Sequence, residues 1–337
     1  MTSCATTTPH SETTPPAHHT EKGFRNLYGE QGAKSMGSLL KWQFTRDKVA
    51  WTDARVAEIP RTAVDQNKLA SPSERGQLTW LGHSTVLFQV GDKAVITDPV
   101  FSQRASPVSF AGPKRFTQPA LSIEELPSID IAVISHNHYD HLDRDSVIAL
   151  GDRVHWVTPL GHREWFANLG ITRHTELDWW QSATIEGITV TATPSQHWSA
   201  RGLLDRFECL WASYFIEAKD VSFWFGGDTG YNPYQFKEIG ERFGPIDLAA
   251  IPIGAYEPRW FMRNMHVNPA EAAKIFKDIK ATRAIGIHWG TFQLTDEGPL
   301  APPQALGEAR KTEAIEPSNF EAIPIGATLE AKIQTTP

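Results

Sequence analysis

The 337-residue chain reads as an α/β protein in which two mixed β-sheets pack face to face with helices on both outer surfaces, a helix–sheet–sheet–helix layering. Three observations predict it. Two blocks of strands follow one another, each succeeded by helical patterns. Some strands are short, nearly continuous β-branched runs such as Ile129-Asp130-Ile131-Ala132-Val133-Ile134, the pattern of a strand buried on both faces. Residues able to bind metal recur where strands end, the usual place for chemistry in a layered α/β protein.

The first block begins at Gln77. Leu78 to Leu81 is a strand, and Thr85 to Val90 and Ala94 to Thr97 form a hairpin around Gly91-Asp92, closed by Asp98-Pro99. Residues 99–126 form a long connection, too long to be idle, that is expected to overhang a site. After a histidine-rich motif come a helix over Arg144–Leu150 ended by Gly151, a strand over Val154–Val157 and a helix over Arg163–Leu169 with Gly170 beyond its end. The second block has a hairpin over Ala183–Thr193, strands over Trp211–Glu217 and Val221–Phe225, a helix over Pro233–Arg242 and a strand over Leu248–Ile253. A helix over Pro269–Ile279 starts at an Asn268 cap, and a strand over Arg283–Ile287, a helix over Pro303–Glu313 and a short last strand complete the chain.

A net charge of −7 provides no general basic field, so no nucleic-acid partner is expected. The two cysteines, Cys4 and Cys209, cannot build a disulfide framework, and Cys209 reads as a small buried hydrophobe. The first twenty or so residues, rich in Thr, Pro, Ser and His, have neither the basic nor the apolar region of a secretory signal. No run approaches the ~20 apolar residues of a membrane span. A cytoplasmic protein is expected, meeting a membrane only from its surface. Residues 1–22 read as a disordered tail with His10, His18 and His19 solvated. Residues 23–76 read as an extended arm with short helical turns, packed on the domain by Trp42, Phe44 and Trp51, and residues 77–337 as the main domain.

The chemistry concentrates in Ser135-His136-Asn137-His138-Tyr139-Asp140-His141-Leu142-Asp143, four potential ligands within six residues directly after a buried strand. Imidazoles with carboxylates suit zinc and its first-row neighbours, and the absence of thiolates argues against a closed structural zinc site. His197, Asp228 and His288 follow at later strand ends, and the seven together fit two metals. Asp98 could orient a ligand histidine or be a plain turn residue. His83 reads as structural, because seven ligands already fill two metals.

The order of H-x-H-x-D-H, a lone histidine, Gly227-Asp228-Thr229 and a last histidine resembles the metallo-β-lactamase superfamily over Leu78–Phe292. Longer blocks resemble the N-acyl-phosphatidylethanolamine-hydrolysing phospholipase D family. Among them are Trp80-Leu81-Gly82-His83-Ser84-Thr85, Gly112-Pro113-Lys114-Arg115-Phe116, Glu176-Leu177-Asp178-Trp179-Trp180, Pro194-Ser195-Gln196-His197-Trp198, Ile251 to Met262 and His288-Trp289-Gly290-Thr291-Phe292. The chain departs from that family in its tail, over Ala200–Glu208 and after Gln293.

The resemblance implies a metallo-β-lactamase-like αββα hydrolase domain over 77–337. It implies two Zn2+ per chain, one on His136, His138 and His197, the other on Asp140, His141 and His288, with Asp228 bridging. It further implies phospholipase D chemistry: a metal-bridging hydroxide attacks phosphorus in N-acyl-phosphatidylethanolamine and releases N-acylethanolamine and phosphatidate. The leaving oxygen takes its proton from metal-bound water or from Asp140. Asp140, Asp228 and His288 are the expected catalytic residues, and Tyr139, His288 and Arg259 the expected substrate contacts, with Tyr139 alternatively a tyrosine packed beside the motif. A phospholipid substrate, a peripheral membrane surface and a homodimer are the expected partners. Tyr256 to Arg263 interleaves aromatics with arginines and reads either as a bilayer-docking segment or as a loop packed over the site. Two other readings keep the ligands and change the outcome: hydrolysis of a lactone or small soluble phosphodiester, and a non-catalytic metal-binding scaffold at a membrane.

Overall fold

In the computed structural model, residues 15–29 and 35–332 are described, so His10 and the tail before residue 15 lie outside them. A small hairpin, β1 (His19–Thr20) and β2 (Gly23–Phe24), precedes three helices, α1 (Met36–Thr45), α2 (Asp53–Ala57) and α3 (Gln66–Ala70). The first sheet is built from β3 (Gln77–Gly82), β4 (Thr85–Val90), β5 (Lys93–Thr97), β6 (Ile131–Val133), β7 (His155–Pro159) and β8 (His174–Leu177), with α4 (Arg144–Leu150) and α5 (Arg163–Ala167) between its later strands. The second takes β9 (Ser182–Ile185), β10 (Ile188–Thr193), β11 (Ser213–Ala218), β12 (Val221–Phe225), β13 (Ile246–Pro252) and β14 (Ala281–Ile287), with α6 (Gln235–Phe243), α7 (Arg259–Met262) and α8 (Pro269–Asp278). After α9 (Ala301–Glu313), β15 (Phe320–Glu321) completes the second sheet and β16 (Thr328–Glu330) returns to the edge of the first.

Both sheets are mixed. In the first, β16, β3, β4 and β5 pair antiparallel and β5 through β8 parallel. In the second, β9 through β12 pair antiparallel and β12 through β15 parallel. The apolar runs explain the layering. On β4 to β6, Val86, Phe88, Val95, Ile131 and Val133 join the core between the sheets, and the alternate residues Leu87, Ile96, Ala132 and Ile134 meet Val147, Leu150 and Phe166 of the outer helices. Phe88 and Phe223 touch across the two sheets with ring centroids 5.1 Å apart. Each such fully buried side chain contributes about 1.5–3 kcal/mol. On the opposite surface, α8 opens with the expected Asn268 cap, closed reciprocally by Glu271, and buries Ala272, Ile275 and Phe276.

Some expectations fail for identifiable reasons. His18 and His19 are not solvated: each lies within hydrogen-bond distance of one Asp178 oxygen, and His18, 5% exposed, stacks on Trp179. Those contacts compensate the entropy that tail composition alone would not. Phe44 does not pack the arm, being 86% exposed, whereas Trp42 is buried. Residues two apart on an α-helix face opposite sides, and α1 turns only one of them inward. The polar strand β8 had no apolar alternation to reveal it.

One side chain ties the second sheet to the loop that carries the ligands. Tyr214 on β11, fully buried, donates its hydroxyl to the Ile134 carbonyl at 2.9 Å, one residue before Ser135. Tyr214→Phe leaves that carbonyl without its partner and is expected to lower stability by about 1–3 kcal/mol in urea unfolding. An unchanged midpoint would mean that the contact carries no stability.

Candidate metal centre

All seven sequence-predicted ligands converge on one edge of the sandwich, where β6, β10, β12 and β14 end. The motif after β6 turns back on itself as the His141 and Leu142 N–H groups donate to the His138 carbonyl. Gly227, ahead of Asp228, has φ +55°, and a Cβ there would stand 2.6 Å from the Ser135 Cβ. Only glycine lets the β12 loop approach the β6 loop so closely.

The imidazoles are aimed by acceptors behind them. Asp98, fully buried at the end of β5, accepts from the Ser135 N–H (2.7 Å) and Oγ–H (2.6 Å) and faces His141 Nδ1 at 2.6 Å. The Ser135 hydroxyl in turn lies 2.9 Å from His136 Nδ1. His197 Nδ1 lies 2.9 Å from the Met265 carbonyl. With Nδ1 engaged, each of these rings turns Nε2 inward. The expectation that Asp98 orients a ligand histidine therefore matches its position.

The inward atoms form two groups. In one, His138 Nδ1 lies 2.8 Å from His136 Nε2 and 3.2 Å from His197 Nε2. In the other, His288 Nε2 lies 3.2 Å from His141 Nε2 and 3.3 Å from Asp140 Oδ2, and His141 Nε2 lies 3.4 Å from Asp140 Oδ2. Asp228 stands between them, with Oδ2 at 3.2 Å from His141 Nε2 and 3.8 to 3.9 Å from His197 and His136, and Oδ1 at 3.1 Å from His288. Ligands ~2.0 Å from a tetrahedral ion stand roughly 3.3 Å apart, which these separations approach. Asp228 Oδ1 is buried and, despite its 3.1 Å approach to His288 Nε2, makes no well-formed hydrogen bond, a cost that a cation would offset. The donor set fits a metal.

Electrostatics sorts the groups. Burial holds His136 and His197 well below the ordinary histidine range and His138 at about 4, so these imidazoles are neutral, the form that binds metal. Burial also disfavours charge on His288 and His141, but the nearby carboxylates, Asp228 foremost, raise them, His288 to about 9. Asp228 is held well below the carboxylate range by His141, His288 and His266 despite its burial.

Two other histidines join the centre. His83 places Nε2 3.0 Å from Asp140 Oδ2 and so orients that carboxylate. His266, which the sequence reading passed over, has Nδ1 3.8 Å from Asp228 Oδ2. It sits in a loop, not at a strand end; its signal was its place just before the Asn268 helix cap. Two expected substrate contacts lie elsewhere. Tyr139 donates its hydroxyl to the Arg201 carbonyl at 2.8 Å and lines a separate cavity of about 600 Å3 with Phe101 and Arg104, where the long 99–126 connection overhangs. Arg259 pairs with Glu271 at 2.6 Å and donates to the His266 carbonyl, so it braces the His266 loop.

A β-lactamase superfamily domain model matches residues 93–289. The chain is 40% identical over 325 residues to N-acyl-phosphatidylethanolamine-hydrolyzing phospholipase D 1 of Caenorhabditis elegans, covering 92% of this chain and 91% of that protein. A mitochondrial enzyme of the same description from Saccharomyces cerevisiae is 39% identical over 236 residues, 68% of this chain and 50% of that one. Igni18, a metallo hydrolase from Ignicoccus hospitalis, superposes with a TM-score of 0.58 at 17% identity over 77% of this chain and 99% of its own, which shows a shared fold.

Asp98→Asn would present an amide N–H to His141 Nδ1 and disturb the ring that faces Asp228. Affinity for added divalent metal is expected to fall about 10- to 100-fold in competition with a chelator, with the fold retained by circular dichroism. Unaltered affinity would remove Asp98 from this role.

Proposed function

Because this chain belongs to the N-acyl-phosphatidylethanolamine-hydrolysing phospholipase D family of the β-lactamase superfamily, we propose that it hydrolyses N-acyl-phosphatidylethanolamine to N-acylethanolamine and phosphatidate. The observation that carries this reading is the cavity over the centre. It holds about 300 Å3, is walled by Leu39, Trp42, Trp198, Phe261, Met262 and Met265, and reaches His138, Asp140, Asp228 and His266. A substrate that joins a polar diester to hydrocarbon chains fits both parts, whereas a small lactone or soluble diester leaves the apolar wall unused.

His136, His138 and His197 would hold one zinc ion, Asp140, His141 and His288 a second, with Asp228 shared. Bound there, zinc would supply Lewis acidity toward the phosphoryl oxygens and a water ionised near neutral pH. The remaining work falls to the protein. Burial raises the Asp140 pKa, but His141, His288 and His83 together hold it well below the carboxylate range. The carboxylate is therefore ionised and can accept a hydrogen bond from the attacking water. Water adds to phosphorus, the bond from phosphorus to the ethanolamine oxygen breaks, and the proton released by the water passes along Asp140 to that oxygen. The products are an alcohol and a phosphomonoester, which balances the diester and water consumed. The apolar wall lowers the dielectric around these charges and strengthens them.

Apolar side chains exposed on segments that also wall the cavity support docking on a bilayer. The side of α1 opposite the cavity exposes Leu40 and Phe44, and Leu203 and Leu204, in the loop after His197, are 91% and 94% exposed. In the segment Tyr256 to Arg263, Phe261 and Met262 turn into the cavity, which leaves Trp260, 44% exposed, for the surface. No helix of the described residues is long and apolar enough to cross a membrane. We also infer a homodimer from family membership; light scattering is expected to give twice the chain mass, and a mass of 37.6 kDa would remove it.

Zinc-loaded protein is expected to release N-acylethanolamine from vesicles containing the lipid and to stop on chelation. Asp228→Asn should lower turnover beyond the about 10- to 100-fold that a supporting residue costs, with a near-normal thermal melt. No release from zinc-loaded protein would sink the reaction, and faster turnover of soluble diesters would favour the alternative substrate. Binding to the vesicles without any turnover is what a scaffold would show.

A further inference from the structure

The N-terminal hairpin ends on the main chain of His197. Asn26, two residues beyond β2 and 4% exposed, donates from Nδ2 to the His197 carbonyl at 2.9 Å and accepts from the His197 N–H at 3.2 Å. The carboxamide thus satisfies both main-chain groups of His197, as a neighbouring strand would in a sheet. His197 is fully buried, so water cannot replace Asn26 without a rearrangement. From that fixed backbone the ring runs between the Met265 carbonyl at Nδ1 and His138 at Nε2.

A second side-chain cluster holds Asn26 in place. His18 Nε2 lies 2.6 Å from Asp178 Oδ1 and His19 Nε2 lies 2.8 Å from Oδ2, with the His18 ring stacked 4.4 Å from Trp179. The Phe24 N–H donates to the Phe207 carbonyl and the Arg25 N–H to the His18 carbonyl. At Gly23, φ is +140° and a Cβ would stand 2.1 Å from the Phe207 oxygen, so a larger residue would lift the hairpin off its seat. Two imidazoles and a carboxylate this close could also hold an ion. However, each Asp178 oxygen is at hydrogen-bond distance from one imidazole, and none of the three side chains has a buried atom without a well-formed hydrogen bond. The centre does, at Asp228 Oδ1. The cluster is therefore a clamp.

We propose that this hairpin, fastened by His18 and His19 to Asp178, is a positioning element of the metal centre, and that Asn26 is the positioning residue for His197. The proposal rests on the reading of His197 as a metal ligand. Strain or release anywhere along the hairpin then reaches the centre through two hydrogen bonds.

The test titrates zinc out of full-length variants with a competing chelator, beside kcat and KM on N-acyl-phosphatidylethanolamine and thermal melts. Asn26→Ala is expected to weaken zinc retention roughly 10- to 100-fold and to lower kcat with KM little changed. Asn26→Asp, which keeps the acceptor and loses the donor, should fall between it and the parent chain. Gly23→Ala, or His18→Ala combined with His19→Ala, should reproduce the loss from a distance and add little on top of Asn26→Ala. Melts lowered with zinc retention unchanged, or additive losses from clamp and Asn26 variants, would overturn the proposal. If Asn26→Ala does not fold, a folded Gly23→Ala with normal zinc retention overturns it equally. Zinc retention needs no substrate, so a chain inactive on the lipid would refute the proposed reaction and still report on Asn26.

Discussion

A carboxylate without solvent access, Asp98, is the constraint on which the centre depends. An ionised group in that position is tolerated only if its oxygens are satisfied, and burial already pushes its pKa upward. Its partners are the N–H and hydroxyl of Ser135 and the ring of His141. The compensation for one buried charge is therefore the orientation of the motif. Through the Ser135 hydroxyl it reaches His136 as well, so one residue sets a ring in each ligand group.

The scaffold makes this possible by ending its strands along one edge. β5 leads to Asp98, β6 to the histidine motif, β10 to His197, β12 to Asp228 and β14 to His288. Where the chain leaves the sheets, ordinary residues adopt left-handed backbone: His83 at φ 50°, Asp98 at 32° and His288 at 64°. Such conformations are costly and persist when the surroundings over-determine them. Here two packed sheets on one side and a ring of mutually aimed side chains on the other do so. Rigid strands supply the precision, and the strained junctions supply the directions.

Much of this was legible in the sequence because it obeys local rules. The double-sided apolar strands, the capped helix at Asn268 and the ligands at strand ends all follow from periodicity and residue type. What escaped depends on contacts between distant segments. His266 is 38 residues from Asp228, in a loop with no strand to announce it. His18 and His19 looked like tail residues because their partner, Asp178, is some 160 positions away. Tyr139 and Arg259 were the right chemical types for a phosphate, but tertiary packing committed the one to Arg201 and the other to Glu271. Phe44 was misread because a side chain's direction on α1 depends on a helix that the sequence only hinted at.

The segment before the sheets then acquires two roles that composition does not suggest. Leu39 and Trp42 of α1 form part of the apolar wall above Asp140 and Asp228, and Trp42 is anchored there by donating its ring N–H to Asp296 at 2.7 Å. The hairpin ahead of α1 reaches the centre from another side, at the backbone of His197. A domain built from the two sheets alone would retain the strand ends that carry all seven predicted ligands, yet lack part of the hydrocarbon wall and the brace behind His197. The chemistry is written in the sandwich, and the fit of that chemistry to a lipid is written in the arm laid across it.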